Sequence, residues 1–598
     1  MPPVAPSFAS TNQVTPFRPF GMTGTTATTL SPRGARVASV LFLVCAAILG
    51  EGSTSHAAAQ EGVCALGAVS RIEIRNNSLF SPEDIHDRSF SWALGFADWM
   101  HIRTRQGYLR DELLLREGDC YDAAVVDESA RLIRELNFIA RVEAGAYLAP
   151  DSTWVVQVET WDEWSTQFST DFDVEGRFQF KGIALTEKNL AGRGLRLSFR
   201  YRNFRERRDK GLTLSTERFL DTRANASIAG GSTRTGNFFR EELSYPFVGE
   251  SSRFSLESRF GFEDREHSYL TGDHSQISHV LLPLEDFDGL LRLGRRYGVP
   301  GALTLVAGEM EFLHREVSGP ARQVWQGDFG DAVTAADSLV ARLAPQDNPD
   351  SWLRVGATVG IRRLRFTTAR GLDRITGEQN VALGSEANLT VGRAVTTWGT
   401  SRPYSYGRLE GFLSGARGPV LAVTTVLAEG RYRSAQNGES PWRDLSLRGH
   451  ALAYVQPGSA AVHTFVTGTH FWVHGNVDQP HQLALGGEEG VRSYRDDEVP
   501  TGSAVVAFAE HRVNLPWFRP AMDLGLTVFG DLGRGWANNV PFAIDTGWRV
   551  ALGGGIRLGF PAGTRSVTHI EVAWPVGGPE KGRGPVFRTY FAPTFTSR

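Results

Sequence analysis

From Trp164 to the end, the chain is a succession of short stretches in which apolar and polar residues alternate, separated by Gly, Asp, Asn and Pro. LRLSFRYRNF (Leu195 to Phe204), FSLESRFGF (Phe254 to Phe262) and VLAVTTVLAEGRY (Val420 to Tyr432) are examples. Period-two alternation predicts strands with one apolar face. The segment before Trp164 reads differently. VSRIEIR (Val69 to Arg75) predicts a strand, stopped by Asn76-Asn77, and a helix is expected around Trp92 to Arg103. After a turn signal ending at Asp122, a second helix is predicted from Ala123 to Leu136. Its Val125, Val126, Ser129, Leu132, Ile133 and Leu136 form one stripe. Asp122 is placed to cap its first amides. Two more strands are predicted, Phe138 to Leu148 and Trp154 to Thr160. This order describes a small α/β unit in front of a long all-β region.

Alternation alone fits a soluble sandwich or propeller as well as a membrane barrel. The leader favours the barrel. VASVLFLVCAAIL (Val37 to Leu49) follows Arg33 and Arg36 and precedes His56-Ala57-Ala58-Ala59, the layout of a secretory signal with cleavage expected after Ala59. An exported chain with long strands and flanking aromatics favours the barrel, because a sheet crosses a bilayer only when its pairing closes. The expected organisation is residues 1–59 as signal peptide and leader, 60–164 as the α/β domain, and 165–598 as the barrel. At about 27 residues per strand with its connection, the barrel region accommodates about sixteen antiparallel strands.

Composition adds exclusions. The 598 residues carry a net charge of −3 and only 22% charged residues, which argues against nucleic acid as a partner. The 65 glycines and 11% aromatics suit strands and turns. With the leader removed, Cys64 and Cys120 remain, and a disulfide or two buried thiols are both open readings.

The unit ending EGDCYDAAVVDESARLIRELNFIARVEAGAYL resembles a POTRA domain, the periplasmic module of the BamA/TamA outer-membrane assembly superfamily (bacterial surface antigen family). GIALTEKNLAGRGLRLSF (Gly182 to Phe199) resembles that superfamily's first barrel hairpin, with Asn189, Leu190, Gly192 and Gly194 in place, and ELSYPFV (Glu242 to Val248) its internal strand ending. LALGGEEGVRSYRDDEVPTGSAVVAFAEHRV resembles its inward-folded loop. The signature V-R-G-[FY] appears here as Val491, Arg492, Ser493, Tyr494, with Ser in the place of Gly. Five strands are predicted after it: Ser503 to Asn514, Asp523 to Gly533, Trp548 to Phe560, Val567 to Trp574 and Val586 to Phe595. The second carries Phe529, Asp531 and Gly533, similar to the F-x-D-x-G of the superfamily. The resemblance implies that Arg492 pairs with Asp531 inside the barrel. A guanidinium fork fits a carboxylate with two parallel bonds, so such a pair would pin a loop to the wall. It also implies a closing strand with Phe587, Phe591 and Phe595 on one face.

What the resemblance implies about function is assistance to assembly or insertion of outer-membrane proteins. The route is a lateral seam between the first strand, expected at Thr166 to Val174, and the last. The expected partners are outer-membrane lipid, unfolded outer-membrane protein clients, and periplasmic or lipoprotein partners at the POTRA-like domain, where the edge strand Ala140 to Leu148 is the favoured contact. The expected location is the cell outer membrane with the N-terminal domain in the periplasm. Only one POTRA-like unit is found, which leaves a two-partner-secretion type of translocation pore, or a passive porin or surface-structural barrel, as alternatives. No G-x-S-x-G or H-E-x-x-H is present, and Gly553-Gly554-Gly555 sits in a predicted strand, so no enzyme and no cofactor are expected. His470, His474 and His481 read as lumen or surface residues, with no metal site expected.

Overall fold

The computed structural model describes residues 64–80 and 91–592, apart from short stretches at 176, 205–206, 273–275, 344–349, 396–401, 435–439, 459–461, 488, 496–497 and 520. The leader, its expected cleavage point and Phe595 lie outside the described residues.

The N-terminal domain comprises β1 (Val69–Asn77), α1 (Ser91–Met100), α2 (Gln106–Glu112), α3 (Ala123–Glu135), β2 (Ile139–Leu148) and β3 (Trp154–Asp162). Its sheet has the order β1-β3-β2, with β1 parallel and β2 antiparallel to β3. Asp122 caps α3 by accepting the Ala124 amide at 2.8 Å. The α3 stripe and α2 bury Leu109, Val126 and Ile133 on Val69, Ile72, Val142, Val156 and Val158 of the sheet. β1 runs through Asn76-Asn77, where a break is predicted from sequence. Asn76 gains side-chain partners there, donating to the Thr104 carbonyl at 2.8 Å and accepting from Thr160 at 2.9 Å, which offsets its poor strand propensity. α1 does not join this core. Its Leu94 and Ala97 pack with Phe80, Leu79, Trp164 and Ala521 at the rim of the barrel.

Cys64 and Cys120 are bonded, closing a loop with a sequence separation of 56 and tying the first described residues to the turn before α3. Loop entropy alone makes such a bond worth about 4 kcal/mol. Reduction is therefore expected to deprotect the β1 amides in hydrogen exchange while the barrel keeps its protection. Equal β1 protection with and without reductant would contradict this.

Twenty-two described strands hydrogen-bond into one closed sheet. Two of them, Arg322–Trp325 and Asp328–Thr334, form a hairpin rising beyond the wall. Ala302–Val317 pairs past it directly with Asp350–Arg370, so twenty strands make the wall. This corrects the expected count of about sixteen. The mean-spacing argument fails because connections in the first half are short: Thr166–Glu175, Arg177–Leu190, Leu195–Phe204, Arg207–Phe219, Ala224–Ser232 and Asn237–Tyr245 follow each other almost without loops. After the inward loop there are five strands: Ser503–Leu515, Asp523–Trp536, Arg549–Gly559, Val567–Gly577 and Val586–Ala592.

The wall is inside out relative to a water-soluble sheet. On Asp350–Arg370, Val355 and Val359 are each 57% exposed while Thr358 and Arg362 are 6% and 5%. Leu526 and Val528 point outward and Thr527, Phe529 and Asp531 inward on Asp523–Trp536. Apolar side chains facing out and polar ones buried within a closed ring make this a transmembrane β-barrel, with lipid around it. At the end away from the N-terminal domain, Ile277–Val299, the extra hairpin and the short helix Asp337–Leu343 build a dome around Tyr269, Val280, Leu282, Leu343 and Phe542.

Candidate functional site: a loop clamped inside the barrel

Between the strands His463–Gly475 and Ser503–Leu515, the chain folds into the lumen and knots on itself. Val491 and Leu485 exchange a backbone bond at 2.9 Å, Leu485 bonds Val499 at 3.0 Å, and Tyr494 bonds Val491 at 3.0 Å. Gly486 and Gly490 permit this closeness: a Cβ on either would come within 2.3 Å of a backbone oxygen. The knot presents Arg492 to the wall.

Arg492 meets Asp531 through three groups. Its Nη2 donates to Oδ1 at 2.7 Å, its Nε contacts both oxygens at 3.1 and 3.2 Å, and its backbone amide donates to Oδ2 at 2.9 Å. The guanidinium also lies 3.4 Å from the centroid of the Phe529 ring. Both side chains are buried, so the bonds are little screened by solvent. The neighbouring motif residues have steric roles. Val491 is fully buried among Leu485, Tyr494, Val506 and Ala551. A Cβ at Gly533 would stand 2.4 Å from Val491. Ser493 is fully buried and its backbone does not adopt the left-handed region, so glycine is not required there. Tyr494 donates to Glu580 at 2.8 Å, and the Arg549 and Arg583 guanidiniums lie 5.0 and 5.3 Å from its ring.

Several members of the site escaped the sequence reading. Glu510 and Glu571 approach Arg492 Nη1 at 3.1 and 3.5 Å. Both stand at inward positions of alternating strands, the one signal that marks them. The network continues through the lumen, since Glu510 pairs with Arg512 at 2.8 Å and Arg512 donates to the Leu372 carbonyl at 2.7 Å. Leu372, Asp373, Arg374 and Ile375 belong to the turn before Glu378–Val395, and all four are buried. Tyr454 holds Asp373 at 2.7 Å. Two inward-folded segments from opposite ends of the barrel are thus joined through the chain Arg492, Glu510, Arg512.

The loop is also tied to the closing strand. Arg588 donates to the carbonyls of Arg492 (3.1 Å) and Tyr494. Arg583 donates to the Ser493 carbonyl at 2.8 Å. Tyr590 reaches Glu571 at 3.0 Å. Phe587 of this strand faces outward, and the backbone of Phe591 pairs with Thr568. The ring places Val586–Ala592 beside Thr166–Glu175. His470, His474 and His481 are all buried in the lumen, and the latter two rings lie 4.1 Å apart. No group of three or more metal-ligating side chains is found among the described residues. Gly553-Gly554-Gly555 lies within Arg549–Gly559, where a Cβ on Gly553 would strike the Phe529 ring at 2.4 Å.

The N-terminal domain touches the near rim at separate places. Arg105 donates its amide to the Gly192 carbonyl at 3.0 Å and Asn189 donates to Thr104 at 2.8 Å. Arg218 pairs with Glu112 at 3.1 Å, and Glu128 accepts the Glu250 amide at 3.0 Å. Arg134 meets Asn380 at 3.0 Å, and Arg565 the Glu135 carbonyl at 2.8 Å. Contacts at five turns around the ring lay the domain across the mouth of the barrel.

No family model and no curated protein matches the chain. Among solved structures, BamA from Haemophilus ducreyi lacking POTRA domains 1–3 is 11% identical, with a TM-score of 0.39, covering 87% of this chain and 83% of that one. CdiB from Acinetobacter baumannii is 11% identical, with a TM-score of 0.34 and coverage of 88% and 74%. CdiB from Escherichia coli is 10% identical, with a TM-score of 0.35 and coverage of 95% and 98%. The chain is thus similar to BamA and to CdiB, and its own strand pairing makes it a closed antiparallel barrel behind a small α/β domain.

Proposed function

We propose that this chain is an outer-membrane protein of the BamA/TamA kind, with its N-terminal domain in the periplasm, that assists insertion of client barrel proteins through the seam between Thr166–Glu175 and Val586–Ala592. The observation that carries the reading is the clamped loop. Arg492 fixes it to the wall at Asp531, and the same loop holds Arg583 and Arg588 beside and within the closing strand. A passive channel needs neither a filled lumen nor a domain across its mouth. Here a change at the closing strand is mechanically linked to the loop, and through Glu510 and Arg512 to the turn at the other end.

The seam is the place in the ring where Val586–Ala592 stands beside Thr166–Glu175. Once parted, its strands offer amides and carbonyls to an incoming strand. Pairing by backbone tolerates many client sequences. In the N-terminal domain β2, which pairs with β3 alone among the described strands, offers the same chemistry to a client or lipoprotein segment before it reaches the seam. No catalytic chemistry and no cofactor enter this reading.

The test is a reversible lock. Thr170→Cys with Phe591→Cys is expected to stop acceleration of client folding in liposomes when oxidised and to restore it on reduction, with the barrel folded in both states. Client folding at the same rate in both states would overturn the seam route. Large steady conductance without folding acceleration would favour the porin reading, and passage of a client across the bilayer without insertion would favour the translocation pore.

A further inference from the structure

We propose that α1 is an in-plane membrane helix, seated in the phospholipid leaflet on the domain side of the barrel with Trp92, Phe96, Trp99 and Met100 among the lipids. The inference rests on the barrel fold alone and not on the seam. Both long faces of this ten-residue helix carry apolar residues. Leu94 and Ala97 are buried on the rim, whereas Trp92, Phe96, Trp99 and Met100, spaced at four, seven and eight residues, form an outer stripe. Trp92 and Trp99 are 75% and 79% exposed, the largest exposures of any tryptophan among the described residues. Among the described residues, the ring contact of that stripe is the one within it, Phe96–Trp99, at 5.9 Å between centroids.

Its position says what covers it. The rim residues under α1 are where the lipid-facing wall begins and ends. Trp164 lies two residues before the first wall strand, and Phe560 directly follows Arg549–Gly559. The Phe560 ring lies 6.0 Å from Phe80 and 6.1 Å from Trp164. Ala521 sits in the turn that also exposes Trp517 and Phe518. The outer stripe of α1 therefore continues the apolar outer face of the wall at the level where aromatic girdles meet lipid headgroups. Beyond Met100 the chain turns polar, with Arg103 and Arg105 exposed, as expected where a helix leaves the interface beside anionic headgroups. Tryptophan suits this boundary because its ring is apolar and its N–H is not.

The full-length protein, with Cys64–Cys120 oxidised, is reconstituted in phosphatidylethanolamine/phosphatidylglycerol vesicles. A nitroxide is placed at Phe96→Cys or Trp99→Cys. Leu389→Cys on the outer wall serves as the lipid reference and Gln106→Cys on α2 as the water reference. Power saturation at positions 96 and 99 is expected to show oxygen access several-fold above the water reference and exclusion of a nickel chelate. Nickel access equal to that at position 106 would overturn the proposal. Exclusion of both reagents would also overturn it, because it would mean a protein partner or a second copy. These readings need no client, so they stand apart from the seam test. Quenching of native emission by brominated lipid, reduced in Trp92→Phe/Trp99→Phe, provides a second measurement without a label.

Discussion

Arg492→Ala is expected to leave the barrel folded in the membrane, to lower its resistance to denaturant, and to raise its conductance. The residue satisfies Asp531 with its guanidinium and its amide, and only the amide bond survives the substitution. Glu510 retains Arg512 and Glu571 retains Tyr590, so the stranded charge is mainly that of Asp531. Breaking a buried pair from one side costs about 3–5 kcal/mol. Loss of the ring contact with Phe529 adds to this. Because the clamp positions the loop, its loss should also loosen the closing strand through Arg588. Arg492→Lys should fall between, since an ammonium keeps the charge but not the fork. The double variant Arg492→Ala/Asp531→Ala should recover part of the stability, because it removes the stranded carboxylate along with its partner. A denaturant midpoint and conductance unchanged in Arg492→Ala would show that the loop is held by packing around Val491 and Tyr494 instead.

What the sequence made legible, and what it hid, follows from the range of the forces involved. The first four strands after the loop lie within a few residues of their predicted bounds, because each alternates cleanly and ends at a turn residue. The extra hairpin Arg322–Trp325/Asp328–Thr334 was hidden, since strands of four and seven residues carry too few alternations to be seen. α2 was missed for the same reason, having seven residues and no cap bond from Arg105. α1 was visible as a helix but not as a helix outside the α/β core, because its partners Trp164 and Ala521 are distant in sequence. Arg492 and Asp531 were legible only through their surrounding motifs. Glu510, Glu571 and Arg588 were not, because an inward charged side chain looks the same in sequence whatever it faces. The role of Gly192 and Gly194 was equally hidden, since their reason lies in the other domain.

Those glycines carry the second large effect: Gly194→Ala is expected to undock the N-terminal domain from the barrel mouth. Gly194 has φ +62°, a region that costs an L-residue about 1–2 kcal/mol. Its Cβ would also stand 2.6 Å from the Tyr108 hydroxyl and 2.7 Å from the ring carbon bearing it. Tyr108 is buried in the domain core and packs edge-on to Phe138 at 5.7 Å, so it cannot move aside cheaply. Gly194 also donates its amide to Asn189 at 2.8 Å, and Asn189 in turn holds Thr104. One added methyl therefore strains the turn, the tyrosine and the Asn189 bridge together. Proteolysis in the segment before Gln106 and exchange of the Tyr108 and Leu109 amides should both rise sharply. Adding Tyr108→Phe should recover part of the effect, because it removes the 2.6 Å contact while the ring-carbon contact and the backbone strain remain. Acid should act on the same interface. Burial pushes the Glu128 carboxyl up, but the Arg131 guanidinium and the Glu250 amide outweigh it and hold the group below its ordinary value. A depressed acid contributes its stabilisation above the ordinary carboxylate range and loses it as pH falls through the lowered value. Of these partners the Glu250 amide belongs to the barrel, so docking should weaken on acidification by the share which that bond supplies, and Glu128→Gln should flatten that dependence. A Gly194→Ala protein with unaltered exchange at Tyr108 would show that the domain is held at its other rim contacts alone.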